Sequence, residues 1–344
     1  MHDFLIEEKR IFRRNFFIIL ILSIFMVLIS IKIGTFEMTF KDVIETIFRI
    51  NPSKSSDLVI FEFRMPRIIL SGFIGFGLGI AGSVVQTVTK NELADPGILG
   101  INAGAGASVI TFMFFFKDII NFKNLVGIMI MPIFGIFGGL FSAILIFYFS
   151  SKRGFLNIEK LILIGIALSS GFGAYTLFIS LKMNPDDYEM AMTWLSGSTY
   201  NANWNYILGM IPWFLIFIPY IIKKSDVLDI MQLEDENIIS LGLELNKERK
   251  KVLISSIAIV STCVAFSGSI GFVGLIAPHI SRRLVGIKHK YMLKISGMIG
   301  MFLVIISDFV AKNISPVSEV PVGVVISIIG VPYFLFLMFK SKGR

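Results

Sequence analysis

The sequence predicts an all-α, polytopic membrane protein with about ten transmembrane helices and both termini in the cytoplasm. Three observations lead there. Mean hydropathy is +0.79, and 55% of the 344 residues are hydrophobic while only 16% are charged, against roughly a quarter charged in soluble domains. The apolar residues fall in runs near the length of about 20 that crosses a bilayer as a helix, and barrel strands would alternate and be about half as long. Finally, the basic residues are unevenly placed. With the N-terminus inside, 22 of the 32 Lys and Arg fall in cytoplasmic segments, as the positive-inside rule requires. The excess of bases is therefore a matter of topology and gives no reason to expect nucleic acid as a partner. The whole chain, 1–344, is expected to form one membrane-spanning domain.

The first run, about 15–33, follows "KRIFRRN". That start resembles a secretory signal, but the apolar stretch continues through Ile31 without a small-residue cleavage site, so a retained span is expected. The second, 67–87, opens after Pro66, which suits a first helical turn, and carries Gly75 and Gly79 four apart. The third, 97–116, and fourth, 125–149, repeat this spacing at Gly100/Gly104 and Gly135/Gly139. Small residues four apart let helix backbones approach closely in lipid. Spans follow at 161–181 and 204–222. After the polar stretch described below come 252–269, which contains the single Cys263, and 271–286, which is short and interrupted by Pro278. The series ends with 293–311 and 321–339.

Several functions are disfavoured. There is no GxxxxGK[ST] phosphate loop, no GxSxG elbow and no carboxylate pair within a span, so the chain is expected neither to hydrolyse ATP nor to be an enzyme. His2, His279 and His289 lack metal-ligand spacing, and His279 in "LIAPHISRR" reads as a structural residue near an inner helix end. Span interiors hold almost no ionisable side chains, with Gln86 and Asn102 the main deep polar groups, which disfavours an ion-coupled carrier.

Two features call for a partner. "FRMPRIIL" puts Arg64 and Arg67 on the outer side, three apart and close to one helix face. They either snorkel to lipid phosphates or dock an acidic partner, and Lys312, at the outer end of the ninth span, would extend the patch. On the inner side, "EDENIISLGLELNKERKK" (234–251) has five acids, four bases and an apolar stripe. Ile238, Ile239 and Leu241 suit burial in a partner with charges at the rim, and Gly242 permits a sharp turn.

"GSVVQTVTKNELADPGILGINAGA", "SGSIGFVGLIAPHISRRLVGIKH" and "SDFVAKNISPVSEVPVGVVISIIGVPYFLFLM" stand in order along the chain. Together they resemble the FecCD-type permeases of ABC importers for iron–siderophore, haem and cobalamin, over about residues 58–340, and look most like ferric siderophore permeases of Gram-positive bacteria. The resemblance implies ten helices in the bacterial cell membrane, a second permease subunit, two cytoplasmic ATPases that use ATP and Mg, and an external substrate-binding lipoprotein. No cofactor or metal is implied for this chain itself.

The family's R-x-P-R motif falls on Arg64 and Arg67, and the base ending D-x-x-A-R falls on Lys312, where lysine replaces arginine and loses bidentate pairing. These are the implied binding-protein docking residues. The implied ATPase-coupling segment is 226–250. Its core pattern, G-E-x-x-A-x-x-L-G, meets Glu234, Asp235, Ile238, Leu241 and Gly242, of which only the last two match outright. In "NELADPGILG", Asn91, Leu93, Ala94 and Pro96 follow the pattern of a cytoplasmic turn, while Glu92 replaces a common proline. The implied cargo is a ferric siderophore of hydroxamate or catecholate type, with haem and cobalamin as alternatives. A stand-alone carrier would instead transport without ATP, and a non-transporting scaffold would show no substrate-stimulated ATPase activity.

Overall fold

The computed structural model describes residues 2–34, 36, 38–50, 53–117, 125–152, 155–314 and 320–341. Among the bases counted above, Arg153, Lys342 and Arg344 lie outside the described residues, as do positions 315–319 of the C-terminal motif. The chain is almost wholly helical. A long α1 (His2–Lys32) leads to two short helices, α2 (Phe40–Ile47) and α3 (Lys54–Leu58), and α3 runs through a wide turn at Val59–Arg64 into α4 (Met65–Thr89). A tight 3₁₀ turn at Pro96–Leu99 precedes α5 (Ile101–Phe116) and α6 (Leu125–Ser150). A two-residue antiparallel pair, β1 (Ser151–Lys152) and β2 (Phe155–Leu156), links α6 to α7 (Ile158–Ser180). Then come α8 (Pro185–Leu195), α9 (Trp204–Lys223), α10 (Ser225–Ile230), α11 (Asp235–Ser240), α12 (Leu245–Ser267), α13 (Val273–Val285), α14 (His289–Asn313) and α15 (Val322–Ser341).

Each of the ten expected runs coincides with a helix. Among the described residues, seven helical stretches are long and apolar enough to cross a membrane, while α5 and α15 are shorter apolar helices. The eighth run gives α13, whose 13 residues span only about 20 Å at 1.5 Å per residue. It begins after Phe272, which sits at φ +64, a left-handed conformation costly for a bulky residue. Glu244 ends the polar linker, because residues from Leu245 onward already form the first turns of α12.

The hydropathy reading passed over α2, α3 and α8, which local capping chemistry specifies. Thr39 and Asp42 form a reciprocal capping box at the start of α2, satisfying donors that a helix start leaves open. Asn184 accepts from the Asp187 N–H ahead of Pro185 in α8.

The central helix is α4, packed against α14, α12 and α13, with α5, α6 and α7 forming a second layer. Its apolar window is 83% buried, like that of α12, whereas those of α1 and α7 are 22% and 17% buried. Glycine makes the central contact possible: a Cβ on Gly75 would lie 2.6 Å from the Gly300 carbonyl carbon and 2.9 Å from Met301 Cα. No side chain fits there, so the α4 and α14 backbones touch, as the four-residue glycine spacing predicts. A hydroxyl reinforces the seam, Ser296 Oγ donating to Gly79 O at 2.7 Å, and another ties α12 to α4, Ser256 Oγ donating to Ala81 O at 3.1 Å.

One end of the bundle is polar. It gathers α10, α11, the turn after α4 and the beginnings of α1, α12 and α14. Lys288 pairs with Glu8 at 2.6 Å, and the Asn15 amide donates to Leu284 O at 2.9 Å, which fixes the start of α1 at this end.

Candidate functional site

At the polar end α11 is held by one carboxylate. Asp235 accepts two parallel bonds from the Arg249 guanidinium of α12, 2.8 Å to Oδ2 and 2.7 Å to Oδ1, and a third from Lys90 Nζ at 2.7 Å. Arg249, and after it Lys90, hold the Asp235 carboxyl down at about 2, below its ordinary value. Asp235 therefore points back into its own chain and positions the segment, rather than meeting a partner directly. Lys90 caps α4 in a left-handed conformation, so the same contact joins α11 to the end of the central helix.

The apolar stripe divides. Ile238 is fully buried in the main core. Its expected insertion into a partner is corrected here: α11 turns that face inward to seat itself on the bundle. Ile239 and Leu241 are 62% and 64% exposed and present an apolar edge outward. Gly242 follows at φ +81, where a side chain would be strained.

The turn after α4 is closed by its own side chains and backbone. Asn91 Oδ1 accepts the Leu93 N–H at 2.9 Å, and the Ala94 N–H bonds Asn91 O at 3.1 Å. Leu93 packs near Leu275 and Ile276 of α13, Ala94 is buried, and Pro96 presses on Gly274, where an added Cβ would come within 2.7 Å of its ring. Glu92 forms an ion pair with Arg282 of α13 at 2.7 Å, so an ionic tie stands where proline stiffness was expected. Gln86 completes the joint, accepting from Arg282 at 2.6 Å and donating to Leu275 O at 3.3 Å.

At the opposite end, Arg64, Arg67 and Lys312 come together from distant parts of the sequence. Arg64 donates to the carbonyls of Ile31, Lys32 and Phe36, and Lys312 Nζ donates to Ser30 O at 3.2 Å. Cations at the C-terminal end of α1 satisfy its last carbonyls and oppose its dipole. Arg67 Nε bonds Asp308 Oδ1 of α14 at 2.8 Å, and Thr199 Oγ1 donates to the same oxygen at 2.5 Å. Arg64 and Arg67 are both buried. The sequence reading treated them as surface cations; it missed Asp308 as a partner, although the SDFVAK motif contains it.

Between these ends a cavity of about 850 Å³ opens beside α5, α7, α8 and α13. Asp95, Asn102, Ser169, Ser170, Thr176 and Ser269 supply polar groups in an otherwise apolar lining that includes Phe272. Asn102 Nδ2 donates to Ser269 Oγ at 3.0 Å. Asn102 was legible as a deep polar residue. Asp95 was not, since its position in a turn motif hid its cavity-lining place.

Comparison with known proteins identifies the family and the fold. The chain is 49% identical over 325 residues to the iron-uptake system permease protein FeuC of Bacillus subtilis, covering 94% of this chain and 96% of that protein. It is 40% identical over 314 residues to the iron(3+)-hydroxamate import system permease protein FhuG of the same organism, covering 91% and 93%. Among solved structures, an inward-facing metal-chelate type ABC transporter superposes with a TM-score of 0.82 at 29% identity, over 95% of this chain and 99% of that one. The model of the FecCD transport family matches residues 20–340. The chain is a multi-pass protein of the bacterial cell membrane, and it belongs to the FecCD transport family.

Proposed function

We propose that this chain is the membrane-spanning permease of an ATP-binding-cassette importer that carries a ferric siderophore into the cytoplasm. It crosses the membrane about ten times as a single domain, with both termini and the polar end inside. The observation that carries this reading is the coupling segment. An exposed apolar edge at Ile239 and Leu241 projects from a short helix clamped by Asp235 to Arg249 and Lys90, and a clamped edge transmits force where a loose loop would absorb it.

In the mechanism, ATP binding closes two partner ATPases, which move α11. The motion passes through Lys90 to α4 and its turn, and through Arg249 to α12. The cavity beside α5 and α13, paired with that of a second permease subunit, is the path whose open side then changes. Only contacts that differ between the two states can drive such a change. An external binding protein docks at the end holding Arg64, Arg67 and Lys312. Arg64 and Lys312 concentrate positive charge there, Arg67 being already paired with Asp308, and Arg64 meets an acidic partner by exchanging backbone carbonyls for carboxylates, a stronger charge-assisted bond.

The names of the relatives support an iron complex as cargo. A hydroxamate complex fits a lining that is mainly apolar with amide, hydroxyl and one carboxyl group, and a catecholate, haem or cobalamin cargo is an alternative outcome of the same uptake assay. Gentle purification from native membranes, with mass spectrometry of every co-purifying protein, tests the assembly. A soluble subunit with a phosphate loop is expected; repeated isolation of the chain without any ATPase would favour the ion-coupled carrier.

A further inference from the structure

At the polar end three side chains from three separated segments meet in a line. Asp229 lies on α10, His289 opens α14, and Thr87 sits in the last turns of α4. Asp229 Oδ1 accepts the His289 backbone N–H at 2.8 Å and stands 2.6 Å from His289 Nδ1. The other ring nitrogen, Nε2, stands 2.6 Å from Thr87 Oγ1. The ring is 1% exposed. Gln232, just beyond α10, lies 3.4 Å from both Nδ1 and Asp229 Oδ1.

The proton count fixes the ring. An ionised carboxylate only accepts, so Nδ1 carries a proton directed at Asp229. Thr87 has one hydroxyl proton and two acceptors near it, His289 Nε2 and Ser83 O at 2.8 Å. Donated to Nε2, that proton bridges the imidazole between α10 and α4; donated to Ser83 O, it leaves the Nε2 contact without a proton unless the ring carries a second one. The order Asp–His–Thr resembles a catalytic triad, but Thr87 and His289 are both buried, at the wall of a small pocket of about 240 Å³. Charged neighbours around the pocket are already engaged: Glu92 with Arg282 and Lys90 with Asp235.

We propose that His289 is a positioning residue that locks α10 to α4 and α14, so that movement of the coupling segment is delivered to the glycine-seamed α4–α14 pair. This rests on the ATPase-driven reading above. Asp235 grips the far part of the segment and His289 the near part. Two anchors on one short linker make it a lever, where one alone would leave a hinge.

The test uses the complete transporter in proteoliposomes, with its ATPase and binding protein, loaded with a ferric hydroxamate. The quantity read is iron imported per ATP hydrolysed. Thr87→Val keeps the shape and removes the hydroxyl that faces Nε2. Loss of a hydrogen bond between neutral groups corresponds to roughly a two- to tenfold shift between states, so iron imported per ATP is expected to fall by about that factor while ATP hydrolysis continues. Thr87→Ser restores the ratio, which a purely steric role for the site would not predict. An unchanged ratio in Thr87→Val overturns the lever. If that variant fails to assemble, Asp229→Asn is measured instead, and an unchanged ratio there overturns it equally. Absence of ATP-driven import by the unmodified complex is a separate result, which overturns the functional reading itself.

Discussion

Replacing Asp235 by alanine removes three charge-assisted bonds at once. Its two oxygens lie 2.7–2.8 Å from Arg249, and Oδ1 also lies 2.7 Å from Lys90. The Arg249 side chain is 8% exposed and Asp235 is 48% exposed, so the pair lies between two limits. Breaking a fully buried pair costs about 3–5 kcal/mol and an exposed one about 0–1. Half-exposure of the carboxylate brings the expected cost to about 1–2 kcal/mol, or roughly a 5- to 30-fold rise in local opening of α11. Amide hydrogen exchange over residues 235–242 of the purified chain reads this directly. The sign of the pH dependence follows from a carboxyl held at about 2, below its ordinary 3.8. The stabilisation is present in full above about pH 4 and is lost as pH falls toward 2. After correction for intrinsic exchange, protection in the unmodified chain should fall across that window, and Asp235→Ala should show no such step. Equal protection in the two proteins at neutral pH would refute the clamp.

Three further outcomes separate burial from display. Ile238→Asp puts a charge in the core and should lower the thermal midpoint sharply, whereas Ile239→Asp should leave the midpoint of the isolated chain unchanged and prevent co-purification of the ATPase. Arg67→Met strands Asp308, which is 2% exposed, at a cost of about 3–5 kcal/mol; adding Asp308→Leu should recover most of it, as measured by thermal unfolding in detergent. Gly75→Val forces α4 from α14, and overpacking of this kind costs about 1–3 kcal/mol, seen as a lower midpoint in the same assay.

Long apolar runs made the spanning helices readable, because a bilayer leaves few other ways to satisfy a backbone. Short elements were less readable. Capping by Thr39 or Asn184 is local and carries little hydropathy, so α2 and α8 went unseen. Residue roles were divided by facts that only packing supplies. Ile238 and Ile239 are identical in sequence terms, yet the turn of α11 sends one inward and the other out. Arg67 and Asp308 are 241 positions apart, so nothing in the local motif revealed that the expected docking arginine already had a partner. The Asp229–His289–Thr87 line was hidden for the same reason, and His289 stood out in the sequence only as a scattered histidine.

The most direct test of the account is uptake of radioactive iron by proteoliposomes containing this permease, its partner ATPase and its binding protein. Ferric hydroxamate and ferric catecholate complexes are supplied in parallel, with ATP inside or absent. The account predicts uptake that requires both ATP and the binding protein and that is faster for the hydroxamate. Uptake driven by an ion gradient without ATP would contradict it.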